Sequence, residues 1–231
     1  MKLKLTPAYV FTFLMLTFVL SEFHEIAHTA VGRLICGCWG KRDFNQWGLC
    51  EGCENNPYSF IPTMMGPLFS FSVAYWGASM LKKHNTIEKQ TLGFSLIFAS
   101  SIFGRLLNVF PFQSGDEFTV FYNEVFNEQR TISLIAAFVL VAVIVFYPLR
   151  KAYLFIENKN RWAWFLGFCI LPFAAILLMI LGVLNTILAT GFLSKVWILG
   201  SPKVVTLWTI LVIVLLFLSK ANITQLKSNG K

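Results

Sequence analysis

The chain alternates long apolar runs with short polar connections, and the runs predict helices rather than strands. They fall near 7–35, 62–81, 91–112, 132–149, 162–187 and 203–219, lengths close to the roughly 20 apolar residues that cross a bilayer. The fifth run continues into "TILATGFLSKVWILG", the pattern of a re-entrant or interfacial segment. The expected fold class is all-α, a polytopic membrane protein of about six transmembrane helices. No repeat, heptad register or low-complexity stretch interrupts the alternation, and no connection is long enough for a soluble domain of ordinary size.

Composition agrees. Of the 231 residues, 56% are hydrophobic and 13% charged, against about 25% charged in a soluble domain. The net charge of +8 comes from basic residues in short groups between the apolar runs. Such groups read as orientation signals facing a lipid bilayer, so nucleic acid is not an expected partner. Taking alternate connections, Lys2, Lys4, Lys82, Lys83, Lys89, Arg150, Lys151, Lys159, Arg161, Lys220, Lys227 and Lys231 share one side. Arg33, Lys41, Arg42, Arg130, Lys195 and Lys203 share the other, which places the N-terminus in the cytoplasm. The opening "MKLKLTPAYVFTFLMLTFVL" has the charge and length of a signal peptide. His28 and Thr29 spoil the small-residue cleavage pattern near Ala30, and apolar sequence resumes at "AVGRLICG". The span is expected to be retained.

Two places break the apolar pattern with chemistry. In the first run, "SEFHEIAHTAVG" spells H-E-x-x-H through His24, Glu25 and His28. Positions i and i+4 share a helix face, so both imidazoles point at one metal with the glutamate beside it. Two imidazoles and an oxygen ligand suit Zn2+ with a fourth position for water, and Glu25 would take the proton of that water. Ionisable groups at bilayer depth are costly, and a shared metal is a reason for a cluster of them. The soluble arrangement with a third histidine six residues on is excluded, because Leu34 stands there. The second interruption is "GRLLNVFPFQSGDEF", which ends the third run, on the side of the membrane that the first run also reaches. There Asn108, Pro111 and Asp116 spell N-x2-P-x4-D.

Together the two motifs resemble the site-2 protease family of intramembrane zinc metalloproteases. Gly66 and Pro67, opening the middle run, are similar to that family's G-P-x-x-N stretch. The resemblance covers residues 8–120 and implies a three-helix catalytic core within 1–130, including the cysteine-containing loop 36–61. Residues 131–231 would then be accessory transmembrane helices. It implies His24, His28 and Asp116 as zinc ligands, Glu25 as the residue activating water, and Asn108 as a contact to substrate or oxyanion. Pro111 would end its helix near the metal. The chain departs from the family pattern twice: Glu117 replaces the Gly after the aspartate, where it would crowd the site or compete as a ligand, and Ser70 replaces the Asn after Gly66-Pro67. Asp116 also precedes the amphipathic run "DEFTVFYNEVF", so a helix cap is the lesser reading of it, compatible with a ligand role.

Smaller features carry their own expectations. Glu22 and Arg105 lie close to the two motifs and are expected either to pair across the first and third spans or to leave Arg105 snorkelling or meeting a carbonyl. Cys36, Cys38, Cys50 and Cys53 form C-x-C and C-x2-C pairs, which reads as two disulfides, a structural zinc site or free thiols. Cys169 reads as core packing and His84 as a solvated loop residue. The stretch "SFIPTM" before Gly66 reads as extended, a place for a substrate to add as a strand. The expected function is hydrolysis of peptide bonds in or near a transmembrane segment of a membrane-protein substrate. The alternatives are a zinc-binding scaffold without peptidase activity and a transporter.

Overall fold

The computed structural model describes residues 1–226; the regular elements among these are helical, with isolated antiparallel bridges at Arg42–Trp47 and Val196–Pro202. In chain order the α-helices are α1 (Pro7–Cys36), α2 (Ile61–Met80), α3 (Ile87–Ala99), α4 (Ile102–Val109), α5 (Asp116–Val120), α6 (Arg130–Phe155), α7 (Arg161–Ile176), α8 (Asn185–Ala189) and α9 (Lys203–Ser219). A π-helical turn, Phe121–Val125, extends α5, and a longer π segment, Leu177–Leu184, joins α7 to α8. A 3₁₀ segment, Lys220–Leu226, closes the described chain. Lys227 and Lys231, two of the residues counted toward orientation, lie outside it.

Among the described residues, five segments are long and apolar enough to cross a membrane: Pro7–Cys36, Ile87–Val109, Arg130–Phe155, Arg161–Ala189 and Lys203–Leu226. The expected span at 62–81 is a helix of 20 residues, α2, which is too diluted by Gly, Ser, Thr and Pro to join that set. Its small residues serve contact instead. Gly66, Ser70, Ala74, Gly77 and Ala78 are buried, and the helix packs between α1 and α3. The expected third span is broken at Ser100–Ser101, where Ser101 takes a left-handed φ of 52°, and α4 starts again on a new course. The helix ends at Val109, two residues before Pro111, as a proline requires.

Local signals account for α1. The Thr6 hydroxyl accepts from the Tyr9 amide at 3.1 Å, Pro7 opens the first turn, and Gly37 closes the helix at a φ of 78°. Within the spans, 56% of the α1 window and 67% of the α3–α4 window are buried, against 28%, 22% and 11% for the last three. Hence α1 and α3–α4 form the centre, and α6, the π segment that continues α7, and α9 present exposed apolar residues such as Val143, Leu178 and Leu218, the pattern that suits contact with lipid. One core gathers Tyr9, Phe13, Phe94, Phe98 and Phe168, and Tyr9 satisfies its buried hydroxyl on Ser95 Oγ at 2.9 Å.

The connection 37–60 does not stay at the end of α1. Phe44 is fully buried in a cluster with Met15, Phe18, Val19, Ile180, Leu184 and Val205, so the loop runs back along α1 by several helical turns. Non-helical backbone at that depth must be satisfied by protein. Arg42 N donates to Gly200 O at 3.1 Å, Gly48 N donates to Lys41 O at 2.8 Å, and Asp43 Oδ1 accepts from the amides of Asn45 and Gln46 at 2.9 and 2.7 Å. Gly40 lies so close to Gly48 that any side chain at position 40 would strike the Gly48 carbonyl. The base of the loop is tied by the disulfides Cys36–Cys53 and Cys38–Cys50. Of the three cysteine readings, the two-disulfide one holds. Cys169 is a buried free thiol and His84 an exposed loop residue, as expected.

Candidate metal centre

His24 and His28 project from one face of α1, and their Nε2 atoms lie 3.2 Å apart. Asp116 Oδ2 lies 3.5 Å from His24 Nε2 and 3.6 Å from His28 Nε2. The aspartate arrives there through the turn after α4, in which Ser114 N donates to Asn108 O at 2.8 Å and Gly115 adopts a φ of 97°. The capping reading of Asp116 is not what forms. Gly115 holds the cap position, and Asp116 is the first helical residue.

Hydrogen bonding fixes which ring nitrogens carry lone pairs. His28 Nδ1 is 2.7 Å from the Pro62 carbonyl, which only accepts, so Nδ1 donates and Nε2 is bare. His24 Nε2 is 3.3 Å from Arg105 Nη1, which only donates, so Nε2 accepts and Nδ1 donates to Ser70 Oγ at 2.9 Å. Two unprotonated ring nitrogens and a carboxylate oxygen therefore converge, with Arg105 N–H groups donating to His24 Nε2 at 3.3 Å and to Asp116 Oδ2 at 2.6 Å. Separations of 3.2, 3.5 and 3.6 Å match the edge of about 3.4 Å in a tetrahedron whose centre lies about 2.1 Å from each donor. The donor set fits a tetrahedrally bound cation.

Helix α2 builds the second layer of this site. Gly66 faces the two imidazoles so closely that a Cβ would collide with His28 Nε2 and lie 2.6 Å from His24 Nε2. Ser70, one turn on, holds His24, and Pro62, one turn back, holds His28. The stretch "SFIPTM" is therefore not extended. It enters α2 at Ile61, and the Pro62 carbonyl is committed to His28. Trp47, from the re-entrant loop, stacks on the other face of His28 with ring centres 4.7 Å apart and planes 7° from parallel.

The expected pair between Glu22 and Arg105 does not form. Glu22 precedes His24 by two residues, about 200° round the helix, and so faces α9 rather than α4. Its partner is Arg42, with Nη1 3.0 Å from Oε2, while Thr209 donates to the same oxygen at 2.6 Å and Arg42 Nε donates to Ser201 Oγ at 2.9 Å. Arg42 is thus no surface orientation signal but a buried cation. Arg105 turns to the other end of its own segment. Its Nε and Nη2 donate to the two oxygens of Glu117 at 2.5 and 2.8 Å, and Nη2 also donates to Asp116 Oδ2 at 2.6 Å. Glu117, expected to crowd the site or compete as a ligand, is held away from the histidines by this contact.

A cavity of about 670 Å³ opens onto the cluster. Its polar wall includes His24, Glu25, Asn108 and Asp116, so four of the sequence-selected residues share one space, with His28 fully buried. Glu25 Oε2 is buried and has no partner among the described residues. The opposite wall is apolar, with Phe173, Ile176, Leu177 and Leu181 coming from α7 and its π segment. Nothing in the sequence marked these four, because each reads as ordinary span composition. Comparison of the chain with protein-family models, curated proteins and solved structures finds no match, so the motifs and their geometry stand alone.

Proposed function

We propose that this chain is an intramembrane zinc metalloendopeptidase of the site-2 protease kind, cleaving a peptide bond in or near a transmembrane segment of a membrane-protein substrate. The reading counts α2 as a sixth crossing within a core of α1–α4. One observation carries it: three lone-pair donors from two distant segments meet at tetrahedral spacing, in a cavity that also holds the unpartnered carboxylate of Glu25. His24, His28 and Asp116 would hold zinc, which supplies Lewis-acid activation of water and of a carbonyl when bound.

The chain's own groups do the rest. Glu25 Oε2, with no internal partner, takes a proton from water in the cavity and returns it to the departing amine. Asn108 supplies an amide N–H to the oxygen that gains charge as the carbonyl is attacked. Pro62 and Ser70 keep both imidazoles in the tautomer that leaves Nε2 free. The apolar wall of α7 and the π segment receives substrate side chains, and the substrate helix unwinds there so that its carbonyl is available. Two disulfides in loop 36–61 support placing that loop on an oxidising face and the N-terminus in the cytoplasm.

The test is zinc per chain on detergent-purified protein. About one zinc is expected in the wild type and none in His24→Ala or Asp116→Ala, with helical content unchanged. Equal zinc in all three would remove the site. Gly66→Ala probes the same site from α2. It is expected to weaken zinc retention against a chelator by about 10–100-fold, because the added methyl displaces both imidazoles. Retention equal to wild type would show that α2 can retreat without disturbing the ligands.

A further inference from the structure

Between Lys89 and Asp116 the sequence has one charged residue, Arg105. A guanidinium so deep in an apolar segment is tolerated only when paired, and both of its carboxylate partners come from the first two residues of α5. We propose that Arg105 and Glu117 act as a clamp that positions Asp116, with Glu117 as its keeper. The inference rests on the metal reading above and assigns positioning roles to two residues outside its ligand set.

The geometry shows why both members are needed. A guanidinium offers its Nε–Nη2 edge as a two-pronged donor to one carboxylate. Here that edge is taken by Glu117, whose oxygens accept at 2.5 and 2.8 Å. Asp116 is left with a single contact, Nη2 to Oδ2 at 2.6 Å, which fixes the carboxylate while the same oxygen still faces both Nε2 atoms. Were Glu117 a glycine, the edge would be free, and Arg105 would take Asp116 by both oxygens and draw it from the histidines. Were Arg105 absent, Glu117 would be a buried carboxylate without a partner beside the ligands, able to replace Asp116. The departure at position 117 and the charge at position 105 thus compensate each other.

Charge agrees with this arrangement. Glu25, Asp116 and Glu117 against Arg105 leave two formal negative charges, the amount that one divalent cation cancels. Without Glu117 the balance would shift toward expelling the cation.

The test uses the full chain in detergent, with zinc affinity by chelator competition and the visible spectrum of the cobalt(II) form as readouts. Glu117→Gly and Arg105→Met are each expected to weaken zinc by about 10–100-fold. The cobalt spectrum of Arg105→Met should also shift, as Glu117 enters the ligand set. The double variant, which removes both sides of the clamp, is expected to recover to within about threefold of wild type, and Glu117→Gln, which keeps the side-chain volume, to fall between. Single variants that bind zinc like the wild type with unchanged cobalt spectra would overturn the clamp while leaving the metal site standing. So would a double variant whose losses simply add. A wild type that binds no zinc would overturn both.

Discussion

Glu25→Gln is expected to retain zinc at the wild-type stoichiometry and to lose about 10²–10⁴-fold in peptide hydrolysis, the range for removing a positioned general base. The substitution keeps size and shape and deletes only basicity. Glu25 makes no hydrogen bond through Oε2 and ligates nothing in the proposed site, so neither folding nor metal should depend on its charge. The measurement pairs zinc content with cleavage of tagged single-span test proteins in liposomes and of unstructured casein in detergent. Zinc without hydrolysis in the variant, against hydrolysis in the wild type, supports the peptidase. Zinc without hydrolysis in both favours the scaffold alternative, and zinc flux through the liposome membrane favours the transporter. Full hydrolysis by the variant would rule out Glu25 as the base.

The second large effect lies on the other face of α1. Arg42→Met should destabilise the protein by about 3–5 kcal/mol, since it leaves the Glu22 carboxylate buried with its cation gone. Glu22 is 1% exposed and Arg42 3%, so water cannot replace the lost partner. Glu22→Leu together with Arg42→Met should return close to wild type, because a buried pair replaced by apolar groups of similar volume costs little. Thermal unfolding in detergent of both single variants and the double measures the coupling. Trypsin cleavage at Lys41 reports separately whether the re-entrant loop has left the bundle. A loop that stays protected and a melting temperature that stays unchanged in Arg42→Met would mean that Phe44 and the disulfides hold the loop without the ion pair.

These two predictions differ in what they owe to sequence. Glu25 was identifiable from four neighbours on one helix turn, because H-E-x-x-H is a local pattern and helix geometry alone brings its members together. Asp116 could be matched to it only through a second motif and the expectation that two spans end on the same side. Arg42 could not be found. Among Lys41, Arg42 and Asp43 it has the composition of a solvated loop, and its burial depends on Gly40 and Gly200 letting three backbone segments meet. The pairing of Glu22 with Arg105 went wrong for a related reason. Depth along the sequence was matched, but the angle round α1 was not.

By itself, the sequence determined the all-helical class, the apolar runs that became helices long enough to cross a membrane, and the residues able to carry metal chemistry. These follow from apolar length, helix period and side-chain type, which act over a few turns. Only the tertiary structure decided between disulfides and a cysteine metal site, directed Arg105 to Glu117 and Arg42 to Glu22, and sent loop 37–60 back beside the histidines. It also gave the cavity a wall from helices that carry no motif. Those outcomes depend on which backbones can approach and on where each buried charge finds its partner, and both are set by contacts between residues far apart in the chain.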